Sequence, residues 1–331
     1  MRTVSLLLLL SIGASTASGQ RPFRERRDVM ETTASVLVYA TSREAAQPFF
    51  ELAFDEIERV EQLLSDTRPT SELSRINGTA GQLTVDPEIF RVVNRAIGWA
   101  RQSGGAFDPT IGPLTAAWGF RTGIPAVPSD SLLTLAMDRT GWQQLELDLL
   151  AQAVSFGRPG MQLDSETFQK GYALDAAAAV MQEAGVGPAL LSMGGRIYRA
   201  LDAPPGQPGW LINVNDPTDQ GIHSTAVHLA QAALSTSGNA GQTFEEGSQT
   251  FGHILDPRTG SPSAASIQVT VITDGAMDAD ALSAAVFVLG FEAAESMLAE
   301  VQGVQAMIIH DSTEGPELRT IRWATGTRAN E

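Results

Sequence analysis

Apolar side chains recur at helical spacing through Phe50, Ala53, Ile57, Val60 and Leu64, which predicts an amphipathic helix from about Glu44 to Leu64. A second helix carries its own punctuation. Asp86 can cap it, Pro87 suits its first turn, Ile89, Val92, Val93 and Ile97 line one face, and Gly104-Gly105 stops it. An alanine-rich stretch from Lys170 to Ala184, closed by Gly185, reads as a third. Period-two and β-branched runs predict strands at Ser35–Tyr39, Ala189–Leu191, Trp210–Val214, Thr225–Leu229 and Ile267–Ile272, joined by Gly, Pro, Asn and Asp turns. Two further helices, Met277–Leu289 and Phe291–Ala299, precede strands at Ala306–Ile309 and Leu318–Trp323. No internal repeat interrupts this order, so it implies mixed α+β or α/β layers and excludes a helical bundle.

The N-terminus departs from the pattern. Met1 and Arg2 lead into an apolar run around Leu6–Leu10 and the small residues Ala17 and Gly19, the make-up of a cleavable secretory leader over residues 1–19. A mature chain starting near Gln20, with no cysteine to carry a lipid, is expected to be soluble and exported, hence periplasmic. Arg21, Arg24, Arg26 and Arg27 then read as a mobile, solvated tail over 20–29, with attraction to anionic lipid as the alternative.

Composition narrows the chemistry. The 331 residues are 43% hydrophobic, carry a formal charge of −16 and contain no cysteine, which excludes thiolate metal sites and cysteine nucleophiles. The acidic balance argues against nucleic acid as a partner. Of 22 cationic residues only Lys170 is lysine; codon bias is one explanation, and a need for a compact three-donor ammonium is the other.

Five polar stretches break the element pattern. Leu64 to Asn77 holds a Pro turn followed by Ser71-Glu72-Leu73-Ser74-Arg75-Ile76-Asn77. Gly105-Ala106-Phe107-Asp108-Pro109-Thr110 forces a fixed irregular loop, of the kind that holds ligands. Asp164 leads into Lys170-Gly171-Tyr172-Ala173-Leu174-Asp175, where a helix N-terminus beside a lysine suits an anion. His253, in His253-Ile254-Leu255-Asp256-Pro257-Arg258-Thr259-Gly260, is either a general base or a loop histidine. Asp278 and Asp280 open a helix, either as complements to its dipole or as oxygen ligands for Mg²⁺.

In this order, together with Thr236-Ser237-Gly238 and Ala279-Asp280-Ala281-Leu282, these motifs resemble the ApbE family of FAD:protein FMN transferases, from Met30 to about Gly290. The resemblance implies an α+β body over residues 30–325, with mixed sheets, packed helices and a flavin-binding cleft, and a short tail at 326–331. It implies FAD as substrate, Mg²⁺ on its pyrophosphate, and a target flavoprotein, exported or membrane-associated, whose Thr or Ser hydroxyl attacks the FMN phosphorus as AMP leaves. By family position Met30, Ala106, Phe107, Asp108, Asp164, Lys170 and Ile254 contact FAD, and Thr67 stands where a tyrosine is usual. Asp280 through its carboxylate and Thr167 through its carbonyl hold the metal, and His253 handles the proton. Ala284 replaces the family's second side-chain ligand, a threonine one turn after the aspartate; Ser283 is rotated roughly 100° away and does not substitute. Glu31 replaces a glycine, the run Asp164 to Lys170 lacks the usual glycines, and Arg196 in Gly194-Gly195-Arg196 replaces an aspartate. These departures motivate two alternatives, a catalytically weak FAD carrier and an enzyme that hydrolyses FAD to FMN and AMP.

Overall fold

The computed structural model describes residues 19–217, 225–240 and 243–323. The expected leader, apart from its last residue, and the expected tail at 326–331 lie outside them. The described chain opens with an antiparallel hairpin, β1 (Arg21–Val29) and β2 (Thr32–Ala40), registered from Arg21 opposite Ala40 to Val29 opposite Thr32. This corrects the expectation of a mobile tail at 20–29. On one face Arg27 lies over the Phe54 ring and pairs with Glu51 at 2.7 Å, while Glu25 pairs with Arg43 at 2.7 Å. Arginine stems cover apolar surface while their heads stay wet, so a charged run can still form a strand. Met30 (φ 53°) and Glu31 (φ 58°) make the two-residue turn, with the left-handed angles that let a tight hairpin follow the strand twist.

The first helix, α1 (Arg43–Leu64), starts where Ser42 accepts the Ala45 N–H, and it buries the expected stripe ending at Leu64. After α2 (Glu72–Asn77) and β3 (Leu83–Thr84), α3 (Pro87–Gln102) is capped by Asp86 as expected. Next come α4 (Gly112–Ala117), α5 (Asp130–Asp138), β4 (Leu145–Asp148) and β5 (Ala153–Phe156), the last two joining β3 in a small sheet. Then α6 (Gln169–Glu183) leads to β6 (Ala189–Met193), β7 (Ile197–Ala200), β8 (Trp210–Val214), β9 (Thr225–Leu229) and β10 (Ala232–Gly238). Two short hairpins follow, β11 (Thr243–Glu246) with β12 (Gln249–Gly252), and β13 (Leu255–Asp256) with β14 (Ser261–Pro262). The chain closes with β15 (Gln268–Thr273), α7 (Ala276–Ala299), β16 (Gln305–Ser312) and β17 (Gly315–Ile321).

The main sheet is antiparallel, in the order β1-β2-β6-β7-β10-β15-β16-β17. Helices α1, α6 and α7 pack together against one face, where Val36, Val38, Leu191, Val269 and Val271 meet Phe50, Ile57, Leu174 and Val286 in the core. The β8–β9 hairpin covers part of the other face through Trp210, Ile212, Val227 and Leu229. The architecture is α+β, as the element pattern implies. Although α7 is long and apolar enough to cross a bilayer, most of it is buried in the core, and it breaks at Gly290 (φ 70°), between the two helices expected there.

Candidate functional site

A cleft opens where the N-terminal ends of α6 and α7 meet the C-terminal end of β10, the loop before α4 and the turn after β12. Ala106, Phe107, Asp108, Asp164, Thr167, Lys170, His253, Ile254, Asp280 and Ala284 all line it. Met30 and Thr67 do not join them. Buried Met30 occupies the hairpin turn and is packed into the core, its N–H donating to Glu61 Oε1 at 3.1 Å. The short Thr67 side chain donates to Glu31 Oε1 at 3.1 Å, in a recess beside the cleft that shares Thr32 with it.

Two expected flavin contacts have their carboxylates engaged by protein groups. Asp108 folds its own loop: Oδ1 accepts from Thr110 N–H at 2.8 Å and Oγ1–H at 2.7 Å, and Oδ2 accepts from Trp142 N–H at 2.9 Å. Burial raises its pKa against these bonds. Asp164 accepts from Glu166 N–H and Thr115 Oγ1–H, both at 3.0 Å, and pairs with Arg121 at 2.9 Å. Arg121 also pairs with Asp66, so one half-buried guanidinium serves two acids. Asp66 is raised by burial and by Asp164, with Arg121 opposing.

The floor of the cleft is different. Lys170 sits in the first turn of α6, whose start has no side-chain cap, and its ion pair with Glu166 is a loose one at 3.8 Å. Its neighbour Gly171 allows α6 and α7 to touch, because a Cβ there would lie 2.2 Å from Ala276 O. The start of α7 is held by Asp175, whose carboxylate accepts from Ala276 N–H at 2.8 Å and Met277 N–H at 2.9 Å while pairing with Arg199 at 3.1 Å. One turn later Asp280 points into the cleft. Ser235 Oγ–H donates to its Oδ1 at 3.2 Å, and Oδ2 is buried with no hydrogen-bond partner among the described residues. Burial pushes this carboxyl up to about 7, although Lys170, Ser235 and the Gly171 N–H all pull it down.

The structure thus separates the two acids of the helix start. Asp278 turns outward to Arg95 at 2.8 Å and Trp99 Nε1 at 2.7 Å. Ser283 points at β10, its hydroxyl 2.8 Å from Ser237 Oγ and donating to Asp280 O at 2.9 Å, so it is turned away from the carboxylate as helix geometry requires. Ala284 presents only a methyl. Among the described residues no three His, Cys, Asp or Glu side chains gather around a metal position. A buried carboxylate with an unsatisfied oxygen, flanked by a hydroxyl, still fits a hard cation that keeps much of its water.

Four residues contribute through contacts that the sequence does not signal. Asp175 stands within the Lys170 motif but reads as an ordinary helix acid, and Ser235 precedes Thr236-Ser237-Gly238 without a signal of its own. Arg196, expected as a charge reversal, donates to Gly238 O at 3.1 Å and Ala240 O at 3.0 Å and so ties the exit of β10 to the β6–β7 turn. Arg121 had no local signal at all.

Comparison with known proteins agrees with this picture. The ApbE family matches residues 30–308. An FAD:protein FMN transferase of Treponema pallidum is 30% identical over 92% of this chain and 90% of its own, and one from Vibrio cholerae is 30% identical over 78% of each. Among solved structures, the flavinyl transferase ApbE of Pseudomonas stutzeri superposes with a TM-score of 0.80 at 26% identity, covering 92% of this chain and 95% of that one. The ApbE protein of Thermotoga maritima gives 0.80 at 27%, covering 91% and 97%.

Proposed function

Since this chain belongs to the ApbE family, we propose that it is an FAD:protein FMN transferase that moves FMN from FAD to a Thr or Ser hydroxyl of a partner protein. The observation that carries this reading is the pairing, on one cleft floor, of the chain's single lysine with a desolvated carboxylate whose second oxygen is unsatisfied. Ala106, Phe107 and Ile254 offer FAD apolar contact, and the ion pair of Asp164 with Arg121 reduces its repulsion of the phosphates. Lys170 and the open N-terminus of α6 face the pyrophosphate, where fixed positive charge stabilises oxygens that gain negative charge in the transition state.

The acceptor oxygen bonds to the FMN phosphorus as the bond from that phosphorus to the bridging oxygen breaks, and AMP departs with that oxygen. His253, on the cleft wall, takes the hydroxyl proton. Asp280 and the Thr167 carbonyl would hold Mg²⁺, which when bound neutralises charge on the pyrophosphate. Asp280 must be ionised for that role, and the cation's charge would return its pKa toward the normal range. The chain acts after export, in the periplasm, on a separate acceptor at or near the membrane.

Incubating the protein with FAD, Mg²⁺ and an exported acceptor domain tests this. Covalent flavin fluorescence on the denatured acceptor, with equimolar AMP, is expected. AMP without labelled acceptor would make the enzyme an FAD hydrolase; neither product, with FAD still bound, would make it a carrier.

A further inference from the structure

On the same face of the main sheet as β8–β9, toward the β1 edge, lies a second groove, lined by Arg24, Arg26, Ser35, Leu37, Ser192 and Tyr198, of which Leu37 and Tyr198 also pack against the cluster around that hairpin. Strand register explains why these groups converge. Arg26 lies opposite Ser35, Ser35 opposite Ser192, and Ser192 opposite Tyr198, which makes one row of polar side chains across four strands. Two residues along, Arg24, Leu37 and Leu190 form the next row. Side chains two apart on a strand share a face at a spacing of about 7 Å, so the two guanidiniums stand side by side above the groove.

Both arginines are exposed, and among the described residues neither guanidinium has an ion-pair or hydrogen-bond partner. Other arginines of β1 and α1 are engaged, Arg27 with Glu25 and Glu51, Arg43 with Glu25, Arg59 with Glu56 and Glu88. The acid on this face of β1, Asp28, accepts from Thr33 Oγ1–H at 2.8 Å and does not line the groove. On a chain of net charge −16, two adjacent arginines without acidic partners are a local exception. Thr32 and Gly194 line both this groove and the cleft, so the two adjoin.

We propose that this groove docks an extended acidic segment of the acceptor protein and leads its hydroxyl to the cleft. Carboxylates at alternate positions of an extended strand match the spacing of Arg24 and Arg26, and the Ser35 and Ser192 hydroxyls supply hydrogen bonds beneath, while the Tyr198 hydroxyl, which donates to Gly195 O at 3.0 Å, can accept from the backbone of the segment. The proposal rests on the transferase reading for the identity of the partner, but its test does not depend on turnover.

The probe is a short fluorescein-labelled peptide of alternating glutamate and threonine, with a lysine–threonine peptide and vesicles of phosphatidylcholine and phosphatidylglycerol as the other arms, at low ionic strength. The glutamate peptide is expected to bind, and Arg24→Glu/Arg26→Glu to weaken it about tenfold or more, with FAD affinity and the circular dichroism spectrum unchanged. The double lysine variant should keep most of the binding. Where an acceptor is turned over, the charge-reversed variant should raise its KM and leave kcat unaltered. Glutamate-peptide binding equal in both proteins, binding of vesicles alone, or an unchanged acceptor KM overturns the groove. Peptide binding lost on charge reversal, in a protein that transfers no FMN to any acceptor, keeps the groove and removes the transferase reading instead.

Discussion

Replacing Asp280 by Asn isolates the electrostatic cost built into the cleft floor. A carboxyl that titrates at about 7 in the fold and at its ordinary 3.8 when unfolded keeps its proton in the native state over that interval, while the unfolded chain has lost it. The native state then binds more protons, so stability falls as pH rises from about 4 to about 7, by about 1.4 kcal/mol per unit for this one group. Above both values the loss is about 4 kcal/mol. Asparagine removes the charge but leaves an amide nitrogen beside the position of the unsatisfied Oδ2, at a cost of about 1–2 kcal/mol, so the variant should gain roughly 2–3 kcal/mol at neutral pH without divalent metal. Urea unfolding of both proteins with chelator present, near pH 5 and near pH 8, gives the comparison. Asp66, Asp108 and Asp175 are also raised by burial, but they are common to both proteins and cancel in the difference. Added Mg²⁺ should then stabilise the parent and not the variant. A difference between the two proteins that is the same at both pH values would refute the claim that this carboxylate is desolvated.

Gly171→Ala should destabilise the fold by about 3 kcal/mol or more, because the new Cβ meets backbone and has no side chain to push aside; a midpoint shift in chemical unfolding measures it. Glu31→Gly should stabilise by about 0.5–1 kcal/mol, since Glu31 holds a left-handed turn angle and loses only an exposed bond from Thr67, and a lower denaturation midpoint would show the turn is not strained. Ala284→Thr should tighten Mg²⁺ by about tenfold in a calorimetric titration, as its hydroxyl joins that of Ser235 beside Asp280; an unaltered isotherm would place the ion elsewhere.

What the chain reveals about itself depends on whether the cause is local. The cap at Asp86 and the break at Gly290 act within a few residues, and the β8 and β9 strands carry their own alternation, so each is legible. β1 is not legible in this way, because its four arginines register as charges, whereas their stems and their alternation form the strand. Asp108 lines the cleft as expected, yet its carboxylate is taken up by Thr110 and Trp142, and the Trp142 contact bridges 34 residues. Ser235, Asp175 and Arg196 matter through partners 45, 101 and 42 residues away, a distance over which no spacing rule operates.

The same contacts explain why one lysine remains in a chain of arginines. Around the cleft each arginine is used as a fork: Arg121 spans Asp66 and Asp164, and Arg196 spans two carbonyls. A planar guanidinium suits such sites because its donors are fixed relative to one another. At position 170 the need is opposite. The cation stands at a helix start, loosely paired to Glu166, and its field reaches the Asp280 carboxyl across the floor. A compact ammonium can rotate its three donors among carboxylate, phosphate and water as the substrate arrives, whereas a guanidinium would be drawn into a fixed pairing with Glu166 or Asp280. The charge that the cleft keeps available is therefore set by which cation the fold can leave uncommitted.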